Sequence, residues 1–415
     1  MAAAVLAAGV GTATSASAQA ELCFGAPATI AGSELIGGIN VFTGTPGNDV
    51  IIGTDDDDLI EGLGGNDRIC GLDGFDDLRG GLGNDKIDAG GGDDLVAGDI
   101  ATETGDITDR PGNDVLEGGP GNDLLVGDHH TDDGSITARG GNDIITDVSS
   151  DTGPAIPAGG KGLIGDVLVG DHVAGELGDV TGNGGDDTLS DGGGDGDLLI
   201  GDHYTLEGGD VSGKGGNDRI TEAGGDRDDL VGDHISRTET VNGVLSGGTV
   251  LGDAGTDVIT KTTGRAQSLI GDHFADVLAD GRGGNDTING PDQGTLFVTG
   301  DHYSNGASNS RNGGNDRITL GNVQDGQGST PPGTPRNIVA GDNFNRSAIA
   351  PIGGGNDTIS TGAGDEARIL AGPGNDNVNA GPGNDGIAGS DGNDRCDGGP
   401  GTDTAVACET VINVP

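Results

Sequence analysis

Two kinds of residue in this chain have the types and spacing to do chemistry. Aspartates stand nine apart at Asp49, Asp58, Asp67, Asp76, Asp85 and Asp94, each after a glycine-containing stretch. Histidines stand in one recurring tripeptide, Gly-Asp-His, at His129, His172, His203, His234, His273 and His302, and His130 directly follows the first. Carboxylates at fixed offsets from glycines suit hard divalent cations, because glycine lets backbone carbonyls turn toward a common point. Asp and His together admit three readings. One is a transition-metal ladder. Another is acid–base catalysis on a β-helix groove by Asp202-His203-Tyr204 or Asp301-His302-Tyr303. The third is a structural column in which a ring N–H satisfies a backbone carbonyl once per coil.

Composition limits the elements that could position these groups. Of 415 residues 90 are Gly, Trp is absent, Tyr occurs twice and Phe six times, so an ordinary core of large side chains is out of reach. Hydrophobic content of 31% with a formal charge of −50 would mark a disordered chain unless a counter-cation neutralises it. Nucleic acid is excluded as a partner, since phosphate repels such a surface.

From residue 44 six nonapeptides run without a gap: GTPGNDVII, GTDDDDLIE, GLGGNDRIC, GLDGFDDLR, GGLGNDKID and AGGGDDLVA. Their eighth positions are Ile51, Ile60, Ile69, Leu78, Ile87 and Val96. One acid and one aliphatic per nine residues predict a stacked solenoid, in which positions one to six turn and positions seven to nine form a short strand with its middle residue inward. This pattern resembles the RTX, or haemolysin-type, calcium-binding repeat. The resemblance implies an all-β fold, a right-handed parallel β-roll or β-helix solenoid with Ca²⁺ between successive turns. It also implies as calcium ligands the sixth-position acids Asp49, Asp58, Asp67, Asp76, Asp85 and Asp94, then Asp114 and Asp123. The C-terminal block AGPGNDNVN, AGPGNDGIA, GSDGNDRCD, GGPGTDTAV adds Asp376, Asp385, Asp394 and Asp403.

Between the two regular blocks the unit lengthens. Residues 171–201 and 202–232 are two copies of a 31-residue unit, each with a first nonapeptide, one extra residue, a second nonapeptide and an excursion that opens with Gly-Asp-His. The first nonapeptide keeps its acid at Asp143, Asp187, Asp218, Asp257, Asp286, Asp316 and Asp357, while the second has Asp197 and Asp228 and then loses it. Carried over from the family, these too are ligands, and calcium occupancy is expected to fall along one edge of the middle segment. Pro331, Pro332 and Pro335 mark an expected protruding loop. In the register after His302 stands Gly341-Asp342-Asn343, and Asn is a poor transition-metal ligand that can still place a side-chain N–H much where a histidine Nδ1–H would be. That substitution favours the structural reading of the histidines.

At the ends, MAAAVLAAGVGTATSASAQA reads as a secretory signal peptide cut after Ala20, although its basic n-region is missing. RTX proteins usually leave the cell by a C-terminal signal instead. Four cysteines allow three pairings, of which Cys23 with Cys70 and Cys396 with Cys408 suit a rod. The expected division is a signal at 1–20, an N-terminal cap at 21–43, a regular roll at 44–99, a long-unit solenoid at 100–370, a second roll at 371–406 and a cap at 407–415. No H-E-x-x-H and no G-x-S-x-G occurs, so metalloprotease and lipase readings fail. The expectation is a secreted, non-enzymatic binder of multiple Ca²⁺ ions that folds on binding them, with no membrane span. A calcium-dependent adhesin touching a cell surface or polysaccharide is the alternative, and a polysaccharide lyase or epimerase a more distant one.

Overall fold

The structure is a computed structural model and describes residues 22–30, 32–148, 165–176, 178–241, 244–291, 297–308, 313–321, 338–345, 354–364 and 368–415. The expected signal peptide and the proline-rich loop lie outside the described residues.

Among those residues the secondary structure is all β, and the ladders that join successive coils are parallel, with one antiparallel hairpin, Thr238–Val241 with Val244–Gly247, set among them. The first nonapeptide of each coil contributes a strand to a 14-stranded sheet running from Val50–Ile52 to Thr410–Ile412, and the second contributes to a 15-stranded sheet ending at Thr404–Val406. In the regular roll, register follows the period. Ile51 pairs with Ile69 and Ile69 with Ile87, two nonapeptides apart, because each coil closes after two turns. The middle residue of each strand points inward. Ile51, Ile69, Ile87 and Leu116 meet Ile60, Leu78, Val96 and Leu125 in one continuous core that runs to Cys396, every one of these eight fully buried. A fully buried aliphatic stabilises by about 1.5–3 kcal/mol, and here each coil contributes two.

The middle segment is broader because its excursions form strands of their own. An eight-stranded parallel sheet runs from Ala101–Thr102 to Phe344–Asn345, starting at or just after the Gly-Asp-His position of each coil. A smaller sheet, from Val211–Ser212 to Ala307–Ser308, flanks it. The extra sheet covers the outer face of the second-nonapeptide strands. Leu124–Val126, Val167–Val169 and Leu198–Ile200 are therefore buried at all three positions, where Asp77–Arg79 in the regular roll buries only Leu78. Strands covered on both faces read as unbroken apolar runs, which is what LLV, VLV and LLI are. Tyr204, Ile235 and Val173 pack against them as a second core.

The ends are tied by disulfides Cys23–Cys70 and Cys396–Cys408. Before the first coil, Glu34–Ile36 and Ile39–Thr43 form an antiparallel hairpin on the end of the large sheet, so the first strand pair does not present a bare parallel edge. No helix of the described residues is long and apolar enough to cross a membrane.

Candidate metal centre

The sixth residue of each nonapeptide falls where the chain leaves its turn and enters its strand, so stacking the coils stacks the aspartates. In the first column each backbone N–H donates to the Oδ1 of the aspartate one coil on. The bonds run from Asp49 through Asp67, Asp85, Asp114, Asp143, Asp187, Asp218, Asp257, Asp286, Asp316, Asp357 and Asp376 to Asp394, at 2.5–3.0 Å. The column does not break although coil length varies from 18 to 44 residues. At its end Glu409 Oε2 accepts the N–H of Asp394 at 2.8 Å.

The second column links Asp58, Asp76, Asp94, Asp123, Asp166, Asp197 and Asp228 in the same way, and resumes from Asp385 to Asp403. Between those segments the acid is lost, as the sequence indicates. Asp166 belongs to this column, and the period-nine reading missed it because it follows the insertion in the 44-residue coil.

One oxygen of each carboxylate is thus committed to the backbone. The other is buried and, at Asp67, Asp85, Asp143 and Asp218 among many, Oδ2 has no hydrogen-bond partner. The first coil differs, since Asp49 Oδ2 accepts the N–H of Thr45 and Asp58 Oδ2 that of Thr54. Rows of buried carboxylates without counter-charge resist ionisation. Burial pushes Asp67 up to about 6 and Asp85 to about 7, while burial and the neighbouring Asp147 carry Asp123 to about 10.

A third column of acids is one the sequence reading did not assign. The aspartate of each Gly-Asp-His, with Asp99 and Asp342 at the ends, is fully buried and accepts the N–H of a first-nonapeptide glycine: Asp99 from Gly112, Asp128 from Gly141, Asp272 from Gly284, Asp301 from Gly314 and Asp342 from Gly355, at 2.7–2.9 Å. The loop passes so close that a Cβ on Gly184 or Gly215 would lie 1.6 Å from Asp202 or Asp233 Oδ1. Columns one and three therefore face each other. Asp99, Asp114 and Asp128 place carboxylate oxygens within 4.8 Å of one another, as do Asp128, Asp143 and Asp171, and Asp171, Asp187 and Asp202. On the other side of the solenoid Asp123, Asp147 and Asp166 do the same, then Asp166, Asp191 and Asp197.

That second row ends on a cation supplied by the protein. Asp147, Asp191, Glu222 and Lys261 share one register position in successive coils. Lys261 is buried, with Nζ 2.6 Å from Asp228 Oδ2 and 3.3 Å from Glu222 Oε1, and it also donates to the Gly224 carbonyl.

The histidines stack as a column of parallel rings, centroids 4.5–5.2 Å apart. Nε2 of His129, His172, His203 and His273 lies 2.9–3.3 Å from the carbonyls of Asp109, Ala138, Gly182 and Gly252, and since a carbonyl only accepts, the proton sits on Nε2. Burial holds His203 and His273 down at about 4, so these rings are neutral at pH 7. Nδ1 of these rings is then a lone pair, and its approach to the aspartate of the preceding coil, 3.7 Å from His203 to Asp171, is no ion pair.

The geometry, oxygen-only triads lined up along a stack of glycine turns, is that of hard-cation binding. The profile of the family described as RTX calcium-binding nonapeptide repeat (4 copies) matches residues 37–69, 71–100, 108–145, 353–366 and 370–405. Neither a curated protein nor a solved structure matches the chain. The matched ranges hold most of the regular nonapeptides, and the clustered carboxylates fit multiple Ca²⁺ ions. The chain carries RTX calcium-binding nonapeptide repeats within residues 37–145 and 353–405, and it is folded as a parallel β-roll.

Proposed function

We propose that calcium folds and stiffens this chain outside the cell, and that its role is structural. The observation that carries the reading is the pair of aspartate columns, in which one oxygen closes the stack and the other, at Asp67, Asp76, Asp85 and Asp94 and again at Asp143, Asp187 and Asp218, is buried without a hydrogen-bond partner. A cation there converts repulsion between like charges into attraction, so site formation and folding are one event. The ligands are the nonapeptide aspartates of both columns together with backbone carbonyls of the glycine turns. With about one ion per intact nonapeptide, ~15–20 Ca²⁺ would bind and cancel ~30–40 of the negative charges. Two disulfides and the usual export of RTX proteins support an extracellular location. The full burial of His203 and Asp202 supports a non-catalytic role, since no substrate reaches them.

The test is metal analysis of the full chain after dialysis against calcium, magnesium and zinc together. Retention of many calcium ions per chain is the expected result. Retention of none, or of zinc in their place, would overturn the reading.

A further inference from the structure

We infer that the aspartate of each Gly-Asp-His is a calcium ligand, and that the long coils hold a row of fully enclosed sites with three carboxylates each, distinct from those of the regular roll. This rests on the calcium reading above and adds a set of ligands outside the nonapeptide.

Three observations carry it. First, Asp128 Oδ1 and Asp272 Oδ2, on side chains that are completely buried, have no hydrogen-bond partner, and so do Asp143 Oδ2 and Asp286 Oδ2 across the gap. A buried carboxylate oxygen left bare is costly, and these occur coil after coil. Second, the triads share members, since Asp128 closes one and opens the next, as does Asp171. Each coil thus adds two carboxylates, one from column one and one from column three, and a single divalent cation per coil neutralises them. The regular roll supplies one per coil on each side. Third, the protein shows what such a gap requires. Where the sister row ends, between Glu222 and Asp228, the ammonium of Lys261 fills the position. None of the triads named above includes a ring nitrogen. Carboxylate and carbonyl oxygens suit Ca²⁺, which accepts irregular shells of about six to eight oxygens, better than Mg²⁺, which demands an octahedron, or Zn²⁺, which favours nitrogen and sulfur.

The Gly-Gly before Asn-Asp or Asp-Asp in the long units, at 184–187 and 215–218, has its reason in the same place. The second glycine donates its N–H to one third-column aspartate, Gly185 to Asp171 and Gly216 to Asp202, and the first leaves room for the carboxylate one coil on, Gly184 for Asp202 and Gly215 for Asp233.

The experiment compares bound calcium in the full-length protein with that in Asp202→Asn, in Asp99→Asn and in Asp67→Asn. Asp99 stands at the start of the row, where a weakened site leaves the rest of the stack intact, so it serves if Asp202→Asn fails to fold. Calcium is counted by metal analysis, and its release into excess chelator is followed in time. The expected result is the loss of at least one ion from Asp202→Asn or Asp99→Asn, with a slow-release class, present in the parent, reduced in both. Folded Asp202→Asn and Asp99→Asn with calcium content and release unchanged would overturn the inference, the aspartates then being held as neutral acids against His Nδ1. If Asp67→Asn loses an ion in that case, the general calcium reading survives. A parent protein that binds no calcium would end both.

Discussion

Asn343 Oδ1 accepts the backbone N–H of His302 at 3.2 Å, the bond that His129 Nδ1 accepts from the N–H of Ile100 at 3.3 Å at the opposite end of the column. An amide oxygen thus does at one end what a ring nitrogen does at the other. The sequence reading expected Asn343 to supply an N–H, and the structure uses its acceptor instead. His129→Asn should therefore be tolerated better than His129→Ala, which leaves the Ile100 N–H without its acceptor. The expected cost of the alanine variant is about 1–3 kcal/mol from that group alone. Guanidinium unfolding in calcium checks the order, and equal losses would contradict it.

Lys261 gives a second prediction. Lys261→Met strands Glu222 and Asp228 and should destabilise the calcium form by about 3–5 kcal/mol. Lys261→Asp continues the register of Asp147 and Asp191, and should bind about one calcium more than the parent. Metal analysis and a thermal melt of both variants decide this. A Lys261→Met variant as stable as the parent would show that the ammonium is not needed there.

The chelated protein should respond to pH in the reverse of the usual sense. Burial raises Asp67 and Asp376 to about 6 and Asp85 to about 7, all above the ordinary 3.8. A raised folded-state value favours the folded state below the unfolded one, and that contribution is lost as pH climbs through the folded value. In chelator, β structure should be present near pH 4 and vanish between about pH 5 and 8. With calcium, ions compete with protons for the carboxylates and the fold should persist at pH 8. Far-UV circular dichroism against pH, with and without chelator, is the check. Unfolding of the chelated chain on acidification would contradict it.

Reduction of Cys23–Cys70 and Cys396–Cys408 should loosen the ends of the rod first. Loops of 47 and 12 residues correspond to about 3–4 kcal/mol each in the chain-entropy account. Neighbour-only contacts confine the effect, so hydrogen exchange should rise near both termini while the Ile145–Leu189–Ile220 core stays protected. Uniform loss of protection would mean that the coils are more tightly coupled than a linear stack.

Much of this fold is legible because a solenoid repeats its instructions. Asp67 and Ile69 recur nine residues after Asp58 and Ile60, so one unit read correctly places the rest. The long coils are harder, since their lengths vary and the period is lost. Asp166 escaped for that reason, although Asp-Val-Leu-Val-Gly-Asp repeats the pattern of Asp-Leu-Leu-Val-Gly-Asp at 123–128. The third column escaped because the eye goes to the histidine in Gly-Asp-His and not to the acid before it. Two signals pointed there: the uninterrupted apolar triplets, which require a covering sheet, and the Gly-Gly pairs, which require a close approach. Neither says what approaches until the coils are stacked.

The central claim, that calcium drives the folding, is most directly tested by the Stokes radius and far-UV circular dichroism of the full chain in chelator, followed through a calcium titration at pH 7.5 or above. The account predicts an expanded chain with little β structure that contracts and gains its β signal in the same calcium range. Full β structure in chelator, with neither signal moved by calcium, would contradict it.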